Sequence, residues 1–131
     1  MEIKYNRTLP IDYAKLMLRC NAAKHDAAVI TGALRDSLFN VGLYDDGELI
    51  AFGRIVGDGH TYFLLCDILV DPDYTELGYE YMIMKELNDY ILEYADSTSR
   101  IFVIAETPLD EQYLKLGYKY LDPDFEVIMT K

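Results

Sequence analysis

The sequence predicts an α/β fold in one domain, residues 1–131, with a mixed and mostly antiparallel sheet, a central parallel pair, and helices on both faces. Three observations predict it. The pairs Asp46-Gly47 and Asp58-Gly59 separate three apolar runs, and Asp-Gly between such runs is the strongest short hairpin signal. An apolar stripe at spacings of 3 and 4, from Tyr79 through Ile83, Leu87, Tyr90 and Ile91 to Tyr94, stands between two strand-like runs. A strand, a helix and a further strand make a parallel pair joined by a right-handed crossover. The chain has 131 residues, 51% hydrophobic and 27% charged, which matches one globular domain of ordinary size.

The elements follow in order. Met1 to Asn6 reads as a first strand. Ile11 to Cys20 reads as a helix, with Ile11, Leu16, Met17 and Cys20 near one face. Asp26 stands where a second helix needs an N-cap, ahead of the stripe Ala27, Ile30, Leu34 and Leu38. Phe39–Tyr44, Leu49–Val56 and Thr61–Val70 form an antiparallel meander across the two Asp-Gly turns. The last of these is almost continuously apolar, the pattern of a strand buried on both faces, and Asp67 is the lone charge within it. After Asp71-Pro72-Asp73 comes the long helix, then a β-branched run from Arg100 to Ala105. Pro108 suits the first turn of a last helix and Gly117 its C′ position. Tyr118–Leu121 and Phe125–Thr130 read as two closing strands.

Composition narrows the function. The net charge of −11 repels nucleic acid and anionic membranes and favours cationic partners such as polyamines or Lys-rich peptides, although solubility alone also accounts for it. No run approaches the ~20 apolar residues of a membrane span. Met1 to Pro10 lacks the apolar core of a secretory signal, so the expected compartment is the cytoplasm. The two cysteines, Cys20 and Cys66, have no partners at metal-ligand spacing and are expected to be buried and reduced. No metal site is expected. His25 and His60 fall in loops, and no Ser–His–Asp constellation stands out. Asp45-Asp46 and Asp71–Asp73 read as solvated turn residues.

In a sheet of this kind, ligands gather at the carboxyl ends of the parallel strands, where helix N-termini point at them. Here that place is Val70 to Glu80. A helix N-terminus offers free N–H groups and partial positive charge to a phosphate, and Gly78 brings the backbone within reach. Asp67 is a candidate general base, with a pKa expected to rise if its side chain is buried, against the alternative of a hydrogen-bonded structural carboxylate. Glu106 is a second candidate base.

The stretch Gly57-Asp58-Gly59-His60-Thr61-Tyr62-Phe63-Leu64-Leu65-Cys66-Asp67-Ile68-Leu69-Val70-Asp71-Pro72-Asp73-Tyr74 resembles the core of the GNAT superfamily of acetyl-CoA-dependent N-acetyltransferases, in particular small bacterial members with Gly-Asp-Gly before the long strand. Gln112-Tyr113-Leu114-Lys115-Leu116-Gly117-Tyr118 is similar to the family's later motif. The resemblance covers roughly Ser37 to Leu121. It implies that acetyl-CoA lies where the two parallel strands splay, its pantetheine arm against Ile68, Leu69 and Val70. It implies a pyrophosphate on the turn Thr75-Glu76-Leu77-Gly78-Tyr79-Glu80, direct attack by an amine on the thioester, and Tyr113 returning a proton to the departing thiolate. Phenol and thiol are close enough in acidity, about 10 against about 8.5, for that transfer. The acceptor implied is a primary amine of a small cationic molecule or peptide, and the protein a monomer or homodimer.

The pyrophosphate turn departs from the family pattern. The family has Gln or Arg, two residues, Gly, one residue, then Gly or Ala; here only Gly78 matches. Thr75 replaces the cationic or amide side chain, Glu80 the last small residue, and Glu76 adds a second carboxylate. A carboxylate about 4 Å from a phosphate repels it by a few kcal/mol at an effective dielectric of about 20. Two further readings therefore stand beside the acetyltransferase: a catalytically impaired protein of the same fold serving as a binding or regulatory module, and a transferase with another acyl donor.

Overall fold

The computed structural model describes all residues, 1–131. Its elements are β1 (Glu2–Tyr5), α1 (Pro10–Arg19), α2 (Ala27–Asp36), β2 (Phe39–Asp45), β3 (Glu48–Gly57), β4 (Tyr62–Val70), a 3-10 turn at Pro72–Tyr74, α3 (Tyr79–Tyr94), β5 (Arg100–Val103) and α4 (Asp110–Lys115). The five strands lie in sequence order, and every pairing is antiparallel except β4 with β5. The mixed sheet and its parallel pair are therefore as the hairpin signals and the crossover predict.

Two apolar clusters hold the layers together. One joins α3 and Tyr113 of α4 to Phe39, Val41, Ile55, Phe63 and Leu65. The other joins Tyr13, Leu16 and Met17 of α1 and Ile30 and Leu34 of α2 to Leu49 and Phe52. Fully burying side chains of this kind stabilises by about 1.5–3 kcal/mol each. On α3 the stripe Ile83, Leu87 and Ile91 is buried as its spacing requires, and Met84 joins it. The helix comes close because β3 has Gly53 beneath it: a Cβ there would stand 2.5 Å from Ile83 Cγ2 and 3.0 Å from Leu87 Cδ1.

The turns explain themselves chemically. Asp58 Oδ1 accepts from the N–H groups of His60, Thr61 and Tyr62, and Oδ2 from the Thr61 hydroxyl, which holds the carboxyl well below its usual range. Gly117 has φ +93 just past α4, where Gly117 N–H donates to Leu114 O and Tyr118 N–H to Tyr113 O, a paired-bond helix stop.

Asp71 is not the solvated turn residue expected but is buried against Arg19, and four further expectations need correction. Tyr118–Leu121 and Phe125–Thr130 form no strands, and β5 closes the sheet. Asp122-Pro123 interrupts the pairing: Phe125 and Glu126 N–H turn back onto Asp122 O, and Pro123 has no N–H to give. The turn leaves a groove of about 1190 Å³ between β5, α4 and this segment. Second, β4 is not buried on both faces. Phe63 and Leu65 are buried, but Cys66 through Val70 are half-exposed. Third, the cysteines are unpaired but half-buried, Cys20 sitting at the end of α1 with its thiol donating to Val70 O at 3.3 Å. Fourth, Asp26 stands at the N-cap of α2 but its side chain makes no capping bond, because it and the first turn face water. Lesser differences concern element ends: Pro108 lies two residues ahead of α4, and β5 stops at Val103.

Candidate active site

The cleft begins at a defect in β4. Across β3, Phe52 pairs with Leu69 and Arg54 with Cys66, so Asp67 and Ile68 together oppose Gly53 alone. This is a β-bulge, and such an insertion bends its strand. Asp67 adopts φ +54, a left-handed conformation that Asp tolerates better than most residues. On the other side, pairing with β5 runs only from Tyr62↔Arg100 to Leu65↔Val103, closed by Ile104 N–H to Leu65 O at 3.2 Å. From Cys66 onward β4 has no partner on that edge. Ile68, Leu69 and Val70 therefore border an opening between the parallel strands.

Beyond the opening lies the turn into α3. Glu76 (φ +66) and Gly78 (φ +85) are both left-handed, and a Cβ at Gly78 would meet nothing. The N–H groups of residues 75–81 donate to no acceptor in the protein, and Gly78 caps α3 without a side chain. Aligned, free N–H groups at the start of a 16-residue helix make an anion cradle. No cation is added by Thr75, whose hydroxyl is spent on Pro72 O. Glu76 is exposed and Glu80 half-exposed, so both carboxylates are in contact with water, which screens their repulsion. The backbone of Leu77, Gly78 and Tyr79 fits a diphosphate, although the side chains of Glu76 and Glu80 oppose its charge.

Asp67 does not stand alone. Its Oδ2 accepts from Tyr13 Oη at 2.5 Å and from Arg54 Nε at 2.7 Å, and Arg54 reaches on to the Ser37 hydroxyl. Burial and the bond to Asp67 push the Tyr13 phenol far above its ordinary range. The carboxylate is thus a structural brace for the bulge, with Oδ1 left free. Its partners were hidden in the sequence. Tyr13 lies 54 positions away, although Arg54, the one cation among the apolar residues of β3, was a readable signal for a paired acid.

Tyr113 comes from α4 and packs edge-on against Tyr118 with ring centroids 5.4 Å apart. It is 2% exposed, and its hydroxyl has no hydrogen-bond partner. Burial, together with nearby Tyr118 and Cys66, pushes its pKa far up, so the phenol keeps its proton at neutral pH. Burial likewise pushes the Cys66 thiol up to about 11. Glu106 is exposed in the loop after β5 and makes no ion pair. The structure therefore brings Asp67 and Ile68–Val70 to the edge of β4 that β5 leaves unpaired, with the turn Thr75–Glu80 after it, while Tyr113 belongs to the α3 cluster and lines the groove between β5, α4 and the C-terminal segment. No His, Cys, Asp and Glu cluster able to hold a metal is present, and no helix is long and apolar enough to cross a membrane.

The parallel pair that parts after Leu65 and the free N–H groups ahead of α3 give the fold its character. A family model of the acetyltransferase (GNAT) domain matches residues 12–128, and the chain belongs to that family. Among solved structures it is similar to a probable acetyltransferase of meticillin-resistant Staphylococcus aureus, with 30% identity and a TM-score of 0.88 over 99% of this chain and 98% of that one. A GNAT-family acetyltransferase of Streptococcus pneumoniae shares the fold at 20% identity and a TM-score of 0.78, covering 99% and 96% of the two chains. The ribosomal-protein-S18-alanine N-acetyltransferase of Escherichia coli does so at 18% identity and a TM-score of 0.71, covering 92% and 80%. A search of curated proteins finds no match.

Proposed function

We propose that this GNAT-family protein is an active N-acetyltransferase that moves the acetyl group of acetyl-CoA to a primary amine of a small cationic molecule or peptide by direct attack. The observation that carries the reading is the buried Tyr113 hydroxyl of α4, which has no partner within the protein. A buried hydroxyl without a partner costs about 1–3 kcal/mol, and the donor sulfur supplies the missing acceptor. The free edge of Ile68, Leu69 and Val70 offers backbone bonds to an extended arm, and an N–H there polarises the thioester carbonyl. The turn Thr75–Glu80 receives the diphosphate through its backbone N–H groups.

In the reaction the neutral amine attacks the thioester carbonyl, the C–N bond forms and the C–S bond breaks. Asp67, anchored as a carboxylate by Arg54 and Tyr13, takes the amine's proton through its free Oδ1, directly or by way of water. Tyr113 gives its proton to the leaving sulfur, a step made less favourable than the free acidities imply because burial raises the phenol's pKa. The net charge of −11 draws cationic acceptors toward the surface. The cytoplasm is the compartment proposed, and monomer or homodimer the state.

The test is thermal unfolding with acetyl-CoA, CoA and pyrophosphate. A ligand that binds only the folded state at 100 times its Kd adds about 2.7 kcal/mol, a shift of several degrees at this size. A saturable shift with acetyl-CoA is expected, and a screen of polyamines and Lys-rich peptides for CoA release follows it. No shift at millimolar acetyl-CoA overturns the reading in favour of a fold kept for binding something else.

A further inference from the structure

The end of α1 is tied to the end of β4 and to the turn that follows. Asp71, the first residue after β4, is 3% exposed and carries a carboxylate. Its Oδ2 accepts from Arg19 Nε at 2.6 Å, and its Oδ1 accepts from Asp73 N–H at 2.9 Å. Its carbonyl accepts from Tyr74 N–H at 2.8 Å. The last two bonds form the 3-10 turn Pro72–Tyr74, and the next residue is Thr75, where the free N–H cradle starts. Arg19 is fixed in its turn by a bond from Nη2 to Leu49 O at 2.5 Å. The neighbouring Cys20 thiol donates to Val70 O.

We infer that Arg19 is a positioning residue for the acyl donor: through Asp71 it sets where the diphosphate-binding turn begins. The inference rests on the donor-site reading above. A buried carboxylate needs a paired cation, and Arg19 is the only one bonded to Asp71. Without the guanidinium, the Asp71 side chain swings outward to be solvated. That change weakens the bond from Asp73 N–H, and the cradle loses its fixed start. The donor then has to order those N–H groups on binding, which lowers affinity. The same helix carries Tyr13, whose hydroxyl bonds Asp67. One rigid element thus holds both the carboxylate on the amine side and the turn on the donor side.

The experiment is calorimetric titration of acetyl-CoA into the wild type, R19A, R19K, D71A and R19A/D71A, all well below their melting temperatures. R35A, which removes an exposed ion pair with Asp36 at the end of α2, is the control. R19A is expected to raise the Kd about tenfold, R19K to recover most of the loss, and R35A to change nothing. The double variant is expected to be no worse than the single ones, because both act on one contact. Amide exchange without ligand supplies a second readout: Asp73 and Tyr74 exchange faster in R19A, while β2 and β3 keep their rates. A Kd and local exchange that R19A leaves unchanged overturn the inference alone. If R19A does not fold, R19K decides, with a loss of about threefold expected and no loss overturning it. A wild type that binds no acetyl-CoA overturns both this inference and the reading on which it rests.

Discussion

The hydroxyl of Tyr113 is buried and bonds to nothing, yet the ring could be Phe if packing were its whole purpose. That contrast yields a two-sided prediction. In Y113F the orphan oxygen is gone, so the melting temperature holds or rises. Acetyl transfer to whichever amine of a cationic panel reacts best falls by tenfold or more in kcat, because a positioned general acid contributes about 10²–10⁴-fold. The Kd for acetyl-CoA stays within about twofold. Loss of stability with full activity retained would make Tyr113 a packing residue. Burial raises the phenol's pKa, so the acid form is complete at neutral pH and no loss of this proton shapes the rate profile below about pH 10. Asp67 teaches the complementary lesson: its carboxylate was visible in the sequence as a lone charge in an apolar strand, but its partners were visible only once Tyr13 and Arg54 met it in space.

At the scale of elements, the site is a consequence of one irregular strand. The bulge at Asp67 and Ile68 pairs against Gly53 in the sheet, and on the sheet face the same glycine lets Ile83 and Leu87 of α3 settle. A methyl at that position meets Ile83 Cγ2 at 2.5 Å, so in G53A the Ile83 and Leu87 side chains, or α3 with them, must shift. Overpacking of this kind costs about 1–3 kcal/mol, and the expected result is a fall of several degrees in melting temperature, read by circular dichroism. An unchanged midpoint would show that α3 rides loosely over β3. The meander, the crossover helix and the Gly117 stop were all legible because turn chemistry and apolar spacing act locally. The half-exposed second half of β4 was not, because its splay depends on where β5 ends. The missing closing strands were misread for a related reason. Tyr118–Leu121 and Phe125–Thr130 have strand-like composition, but the Asp122-Pro123 turn decides their course.

Over the whole molecule the dominant ionisation feature is a set of tyrosines held neutral by the fold. Burial and a bond to Asp12 push Tyr44 up to about 12, and burial alone pushes Tyr118 up to about 12. A bond to Asp45 raises half-exposed Tyr74 to about 12 as well, while burial raises Tyr13 and Tyr113 further. In the unfolded chain each ionises near its ordinary value of about 10. Above that pH the native state therefore binds more protons than the unfolded one, and stability falls as pH rises; below it, these tyrosines contribute a constant amount. Ionisation also adds negative charge to a chain already at −11, which strengthens the self-repulsion. Urea midpoints measured from pH 8 to 12 should stay level to about pH 10 and then drop. Y118F should make the drop shallower, since one of the groups responsible is gone, and added salt should soften it by screening. A level midpoint through pH 12 would mean that these phenols ionise in the folded protein as easily as in water, and that the packing around Tyr113 and Tyr118 is open to solvent.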